Sequence, residues 1–280
     1  MMVKLSFTTL GCPEWDLDRI CSRGREYGFD GVDFRGYLDT IDITTLPLFT
    51  REGEQTRRRL NDAGLEVSGI SSSITVCVSE RRSQNLEEAR RTIAVAKLLG
   101  AKYIRVFGGG DLRHHSREEL ATIGADMMQS ILSLDGASEL VWCFETHDLW
   151  IQSQDCRLLL DAVPSPAFGV LWDMGHTPRV GMEMPAETLK ALGKRIAYTH
   201  IKDAEYNPRH PLAMNDGWRY CLPGEGMLPI REAVLLLVES GYNGWMVFEH
   251  EKRWHPELPG PEEAFPAFVR WAQKTLNREE

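Results

Sequence analysis

Long hydrophobic runs are missing from this sequence. No window holds the roughly 18 consecutive apolar residues of a membrane helix. The opening Met1-Met2-Val3-Lys4-Leu5-Ser6-Phe7 is too short in its apolar stretch for a secretory signal. Paired cysteines are also absent. Cys12, Cys21, Cys77, Cys143, Cys156 and Cys221 are scattered, with no C-x-x-C motif. That excludes a zinc knuckle, gives no sign of a disulfide frame, and leads to an expectation of reduced, structural thiols in a cytoplasmic protein with no membrane partner. An excess of basic charge is lacking as well. The net charge of -9 argues against a nucleic-acid partner, which normally leaves a positive footprint. Finally, no break in composition marks a linker, so the 280 residues are expected to form one domain, residues 1–280. A core of that size needs no staples.

What the chain does have is a set of short β-prone runs that each end in a polar group. Phe168-Gly-Val-Leu-Trp ends in Asp173, with His176 three residues on. Val141-Trp-Cys-Phe ends in Glu145, Ile196-Ala-Tyr-Thr in His200, and Trp245-Met-Val-Phe in Glu249. A carboxylate closing a buried strand needs a cation or hydrogen-bond donors, because burying it bare costs several kcal/mol. Three carboxylates and an imidazole from four successive strands point to one hard, oxygen-rich divalent-metal site. Mn2+ is placed first, with Mg2+, Co2+ or Zn2+ as alternatives.

Strands are expected at residues 3–8, 32–35, 65–70 and 102–107, then at the four runs above. Between them lie helical stretches near 16–27, 51–63, 85–99, 118–134, 154–162, 186–192, 230–240 and 261–276. Eight strands alternating with eight helices fit a (β/α)8 TIM barrel, an α/β fold, better than a doubly wound sheet. In a barrel all eight strands end on one face, so Glu145, Asp173, His200 and Glu249 meet without further assumptions.

The order Phe-Glu145-Thr-His147, Asp173-Met-Gly-His176, His200-Ile-Lys-Asp203, Pro223-Gly-Glu-Gly226 and Phe-Glu249 resembles the xylose-isomerase-like barrel superfamily. That superfamily includes sugar isomerases and epimerases, inosose dehydratases and AP endonucleases. The resemblance implies that Glu145, Asp173, His200 and Glu249 hold the metal. Glu145 and Glu249 would also move a proton, and His176 would contact a substrate oxygen. The expected activity is a sugar isomerase or epimerase moving a proton next to a carbonyl through a metal-stabilised enediolate. The alternative is a metal-dependent dehydratase or lyase acting on a keto-inositol or keto-glycoside. Two departures leave room for it: Tyr206 stands where ketose epimerases carry Arg, and Ile151 where they carry Glu. A non-catalytic partner subunit and an AP endonuclease are lesser alternatives. The endonuclease needs histidines at strand ends three and four, where this chain has Ser71 to Ser73 and Phe107-Gly-Gly-Gly.

Lys202, His147, Arg219, Trp254 and His255 join His176 as candidate contacts for a small sugar or polyol-derived substrate. Asp33 and Arg35 are expected to pair with each other across the barrel mouth, and Arg105, if inward, to find an acid. Gly108 to Gly110 reads as a tight turn beneath the substrate. His114 and His115 read as solvated, and by analogy the chain forms a homodimer or homotetramer.

Overall fold

Strands buried on both faces organise this molecule. The computed structural model describes residues 3–277; the expected domain span reaches past these at both ends, where Met1, Met2 and the last three residues lie outside the described ones. In chain order the strands are β1 (Lys4–Thr8), β2 (Gly31–Phe34), β3 (Glu66–Thr75), β4 (Tyr103–Phe107), β5 (Val141–Glu145), β6 (Phe168–Asp173), β7 (Ile196–Ile201), β8 (Asp203–Tyr206), β9 (Trp218–Cys221) and β10 (Trp245–Phe248). The helices are α1 (Leu17–Glu26), α2 (Gly53–Asp62), α3 (Arg82–Leu99), α4 (Arg117–Leu132), α5 (Ser153–Ala162), α6 (His176–Arg179), α7 (Pro185–Leu192), α8 (Ile230–Glu239) and α9 (Pro261–Thr275). Eight strands close a parallel barrel in the order β1-β10-β7-β6-β5-β4-β3-β2, while β8 and β9 form a separate antiparallel hairpin. The fold is a (β/α)8 TIM barrel, as the alternation of elements predicts.

Side chains along a strand point alternately to its two faces. One set, including Trp142, Phe144, Val170, Trp172, Met246 and Phe248, packs outward in the large core shared with the helices. The other set, Cys143, Leu171, Tyr198, Trp245 and Val247, forms a separate cluster in the barrel interior. Glu145, Asp173, His200 and Glu249 each lie two residues beyond a member of that inner set. The strand period therefore carries all four into the lumen at its C-terminal end.

The helices begin and end where local chemistry allows. Asp16 accepts the Arg19 amide at 2.9 Å to start α1, and a Ser116–Glu119 capping box starts α4. Gly100, with φ +73°, ends α3. On α9 the apolar face seats Phe265 against Phe7, with ring centroids 4.7 Å apart.

Three expectations need correction. The third strand runs on to Thr75 through a register shift, so Ser71 to Ser73 are strand rather than loop. Between β7 and the helix expected near 230–240, where no strand is expected, lies the β8–β9 hairpin, paired from Asp203↔Cys221 to Tyr206↔Trp218. Asp33 does not pair with Arg35: its Oδ2 accepts from the Tyr198 hydroxyl at 2.9 Å, while Arg35 donates to Ser73 Oγ at 2.7 Å. Successive residues of an extended chain face opposite ways, but these two, two apart, are separated by the different partners β3 and β7 offer them. The glycines at 108–110 turn the chain as expected, with φ +65° at Gly109 and +109° at Gly110, and also make room for a core tryptophan: a Cβ on Gly108 would lie 2.0 Å from the Trp150 ring, and the Gly109 carbonyl accepts the Trp150 indole N–H at 2.9 Å.

Candidate metal centre and active site

Glu145 closes β5, Asp173 closes β6, His200 lies one residue from the end of β7, and Glu249 follows β10. All four are buried, and each offers a ligand atom within 4.8 Å of the other three. His200 Nδ1 sits between Glu145 Oε1 at 3.1 Å and Glu249 Oε1 at 3.2 Å. The Asp173 carboxylate is held by the turn that follows it: Oδ1 accepts the amides of Gly175 and His176, each at 2.8 Å.

Two basic side chains join this acid cluster. Arg105 on β4 donates Nη1 to Glu145 Oε2 at 2.8 Å and Nη2 to the Ser72 carbonyl at 3.1 Å. The expectation of an inward ion pair holds, and its partner is a member of the cluster. Lys202 places Nζ 2.9 Å from Asp173 Oδ2 and 2.7 Å from Glu251 Oε1, and also against Glu249 Oε2. Burial alone would discharge these groups; mutual attraction keeps them charged. For Glu145, burial is outweighed by Arg105 and His200, which hold its carboxyl below the usual range. For Glu249, burial is outweighed by His200 and Lys202. His200, despite burial, is raised to about 10 by Glu249 and Glu145.

The donor set fits a divalent ion. Asp173 Oδ2 and Glu249 Oε2 are buried and accept no hydrogen bond, although the Lys202 ammonium stands within ion-pair range off the hydrogen-bonding line. Three carboxylates converging on one imidazole in a buried space are hard oxygen and nitrogen donors, with no thiolate among them.

The other candidate contacts separate into two groups. His176 and His147 border the cluster. His176 presents Nδ1 to the Thr146 carbonyl at 3.2 Å and Nε2 to Lys202 Nζ at 3.4 Å. Its ring meets that of His147 edge-on, centroids 4.9 Å apart. His147 Nδ1 pairs with Asp148 at 2.7 Å, and its ring packs on Phe107. The protonation of the two imidazoles diverges. Burial, assisted by Lys202, outweighs Asp173 and lowers His176 to about 4. His147 is raised, because its bond to Asp148 and the charge of Glu145 outweigh burial.

Arg219, Trp254 and His255 lie farther out. Arg219 on β9 pairs with Glu205 on β8 at 2.7 Å, closing the hairpin. Trp254 is half exposed beside Arg253. His255 packs edge-on against Tyr220, whose ring lies 5.8 Å from Lys202 Nζ, so it stands one side chain back from the cluster. His114 and His115 are on the surface beside Asp111 and Glu119, as expected. Of the segment 251–258 that follows the last ligand strand, it is Glu251, not Trp254 or His255, that reaches the cluster, through Lys202.

A family model described as xylose isomerase-like TIM barrel matches residues 21–275. The inosose dehydratase of Geobacillus kaustophilus is 24% identical over 263 residues, covering 85% of both chains. The solved structure of the IolI protein with a bound zinc atom superposes with a TM-score of 0.78 at 17% identity, covering 99% of each chain. A D-tagatose 3-epimerase-like protein gives 0.76 at 17% identity, covering 98% of this chain and 97% of its own. With the barrel, the acid cluster at its C-terminal mouth and a match over nearly the whole sequence, the chain belongs to the xylose isomerase-like TIM barrel family.

Proposed function

We propose that this protein is a divalent-metal-dependent lyase, a dehydratase acting on a polyhydroxylated ketone of the keto-inositol kind. The observation that carries the reading is a pair of imidazoles set edge-on beside the cluster, ring centroids 4.9 Å apart, with His176 Nδ1 on the Thr146 carbonyl and His147 Nδ1 on the Asp148 carboxylate; burial lowers the first and the carboxylate raises the second. Titratable groups whose environments push them apart supply a base and an acid. Arg105 and Lys202 meanwhile hold Glu145 and Glu249 ionised, which suits them to bind a cation.

A divalent ion held by Glu145, Asp173, His200 and Glu249, with Mn2+ our first choice, would supply Lewis-acid polarisation of a carbonyl. His176 turns Nδ1–H to the Thr146 carbonyl; its Nε2, which faces the Lys202 ammonium at 3.4 Å, takes the proton from the carbon next to the carbonyl once substrate displaces that contact. The electrons of that C–H bond form the C=C bond as the β-carbon–oxygen bond breaks. His147 protonates the departing hydroxyl, which leaves as water. The two rings then differ from their starting state by one proton each, exchanged in opposite directions with solvent. Similarity to an inosose dehydratase supports this class of substrate. The six unpaired cysteines support a cytoplasmic setting.

A second reading keeps Glu145 and Glu249 as the proton carriers of an isomerase or epimerase, supported by their convergence on one point. Incubation of the Mn2+-loaded protein with inosose in D2O separates the two. Dehydration is expected, seen as loss of one water by mass and an enone absorbance. Deuterium at the α-carbon without water loss would instead select the isomerase. His147→Gln should slow dehydration by roughly 100-fold with Mn2+ affinity unchanged.

A further inference from the structure

Arg35 follows β2 and carries a guanidinium into the barrel mouth. Its Nη1 donates to Ser73 Oγ at 2.7 Å and reaches the Ser71 carbonyl at 3.5 Å. Among the described residues no carboxylate lies within ion-pair distance of it, and the edge formed by Nε and Nη2 has no hydrogen-bond partner. Its Cζ is 5.9 Å from the centre of the Phe107 ring, and Arg105 Cζ is 3.8 Å from the same ring. Arg105 is 4% exposed and also has an unfilled donor: Nη1 is on Glu145 and Nη2 on Ser72, while Nε is buried without a partner. Burial and the like charge of Arg105 push Arg35 down to about 10, against the pull of Glu145, Glu88 and Glu249. Two guanidiniums on one ring, beside a candidate metal ligand, form a pair of like charges with donors to spare.

We propose that Arg35 and Arg105 form a carboxylate-binding subsite, so that among the polyhydroxylated ketones the lyase accepts, one that also bears a carboxylate binds tighter than a neutral ketone. The side-on Nε–Nη2 edge of Arg35 matches the two oxygens of a carboxylate, giving parallel charge-assisted hydrogen bonds. The Phe107 ring that both guanidiniums approach also meets the His147 ring, centroids 4.8 Å apart, so an anion bound here sits beside the reacting groups. This assignment rests on the lyase reading for the position of the reacting carbon.

The test is calorimetric titration of the Mn2+-loaded full chain with three six-carbon probes: 2-keto-D-gluconate, D-fructose and D-fructose 6-phosphate. The acid should bind roughly 10-fold or more tighter than fructose, one good charge-assisted pair being worth that much. Arg35→Gln should reduce the preference to within about twofold and leave Mn2+ affinity unaltered. Ser73→Ala, which removes only the hydrogen bond that steadies Arg35, should retain it. Equal binding of acid and fructose, binding of neither, tighter binding of the phosphate, or a preference that survives Arg35→Gln would each overturn the subsite. The two proposals fail separately. A protein that binds Mn2+ and dehydrates inosose without favouring the acid overturns the subsite alone. One that favours the acid through Arg35 but releases no water from any of these ketones overturns the lyase alone.

Discussion

Lys202 is the residue on which the charge balance of the barrel mouth turns. Its ammonium faces Asp173, Glu249 and Glu251, and these together raise it well above its ordinary value against the cost of burial. Removing one member of such a buried set leaves charge uncompensated. Lys202→Met is therefore expected to destabilise the metal-free protein by about 3 kcal/mol. It should also tighten Mn2+ binding, since the cation would then be the main counter-charge of three carboxylates. Thermal unfolding with and without Mn2+ checks both; a variant unchanged in either respect would show Lys202 to be a bystander. His250 offers a second test. Its ring stacks on Phe248 and its Nε2–H donates to the Pro259 carbonyl at 2.8 Å, and burial lowers its pKa to about 4 against an ordinary 6.5. Because the unfolded chain binds the proton more readily, stability from this group is complete above about pH 6.5 and is lost as pH falls toward 4. Urea unfolding at pH 7 and pH 5 should show a decline, on the order of 1–2 kcal/mol of which is absent in His250→Asn. An identical decline in the variant would remove His250 as its source.

Among the elements, the β8–β9 hairpin depends on one carboxylate. Asp203 accepts the amides of Gly224, Gly226, Leu228 and Ala204, so the Pro-Gly-Glu-Gly turn is folded around it. A Cβ on Gly226 would lie 2.1 Å from Asp203 Oδ1, which is why that position carries no side chain. Asp203→Ala leaves four amides without their acceptor, at a cost of about 2 kcal/mol or more. Hydrogen exchange should accelerate across residues 218–228 while the barrel strands keep their protection. Uniform acceleration would mean that the hairpin and barrel unfold as one unit. On β3, a Cβ at Gly69 would meet Asp33 Oδ2 at 2.5 Å and the Tyr198 hydroxyl at 2.7 Å. Only glycine leaves room there for the interior pair that spans the lumen.

Across the whole molecule, exposure is uneven. The large hydrophobic side chains that are exposed among the described residues, Met182, Met227, Tyr206 and Trp254 among them, all lie on connections that follow strand C-terminal ends. We expect these mouth loops to pair two copies into a homodimer; light scattering giving the monomer mass would discard that. The buried thiols behave oppositely. Cys12, Cys77, Cys143 and Cys156 are sealed in the core, and burial raises each thiol far above its usual range. Alkylation of the native protein at pH 7.5 should spare these four and reach only Cys21 and Cys221. No helix among the described residues is long and apolar enough to cross a membrane.

Local information in the chain was enough for the barrel and for the position of its acid cluster. Strand length, glycine and cap positions, and the alternation that places Glu145, Asp173, His200 and Glu249 on the inner face are properties of neighbouring residues. Arg105 was legible for the same reason: an inward arginine in an apolar lumen must meet an acid. Other features depended on distances between strands far apart in sequence. The Tyr198–Asp33 bond joins opposite walls of the barrel, the Lys202–Glu251 pair joins two mouth loops, and Arg35 turned to Ser73 only because β3 extends five residues farther than its apolar pattern suggested. A sequence specifies which face a side chain takes through its backbone period. Which charge it meets across that face is decided by barrel closure, because closure sets the register and burial makes each unpaired charge costly enough to select a partner.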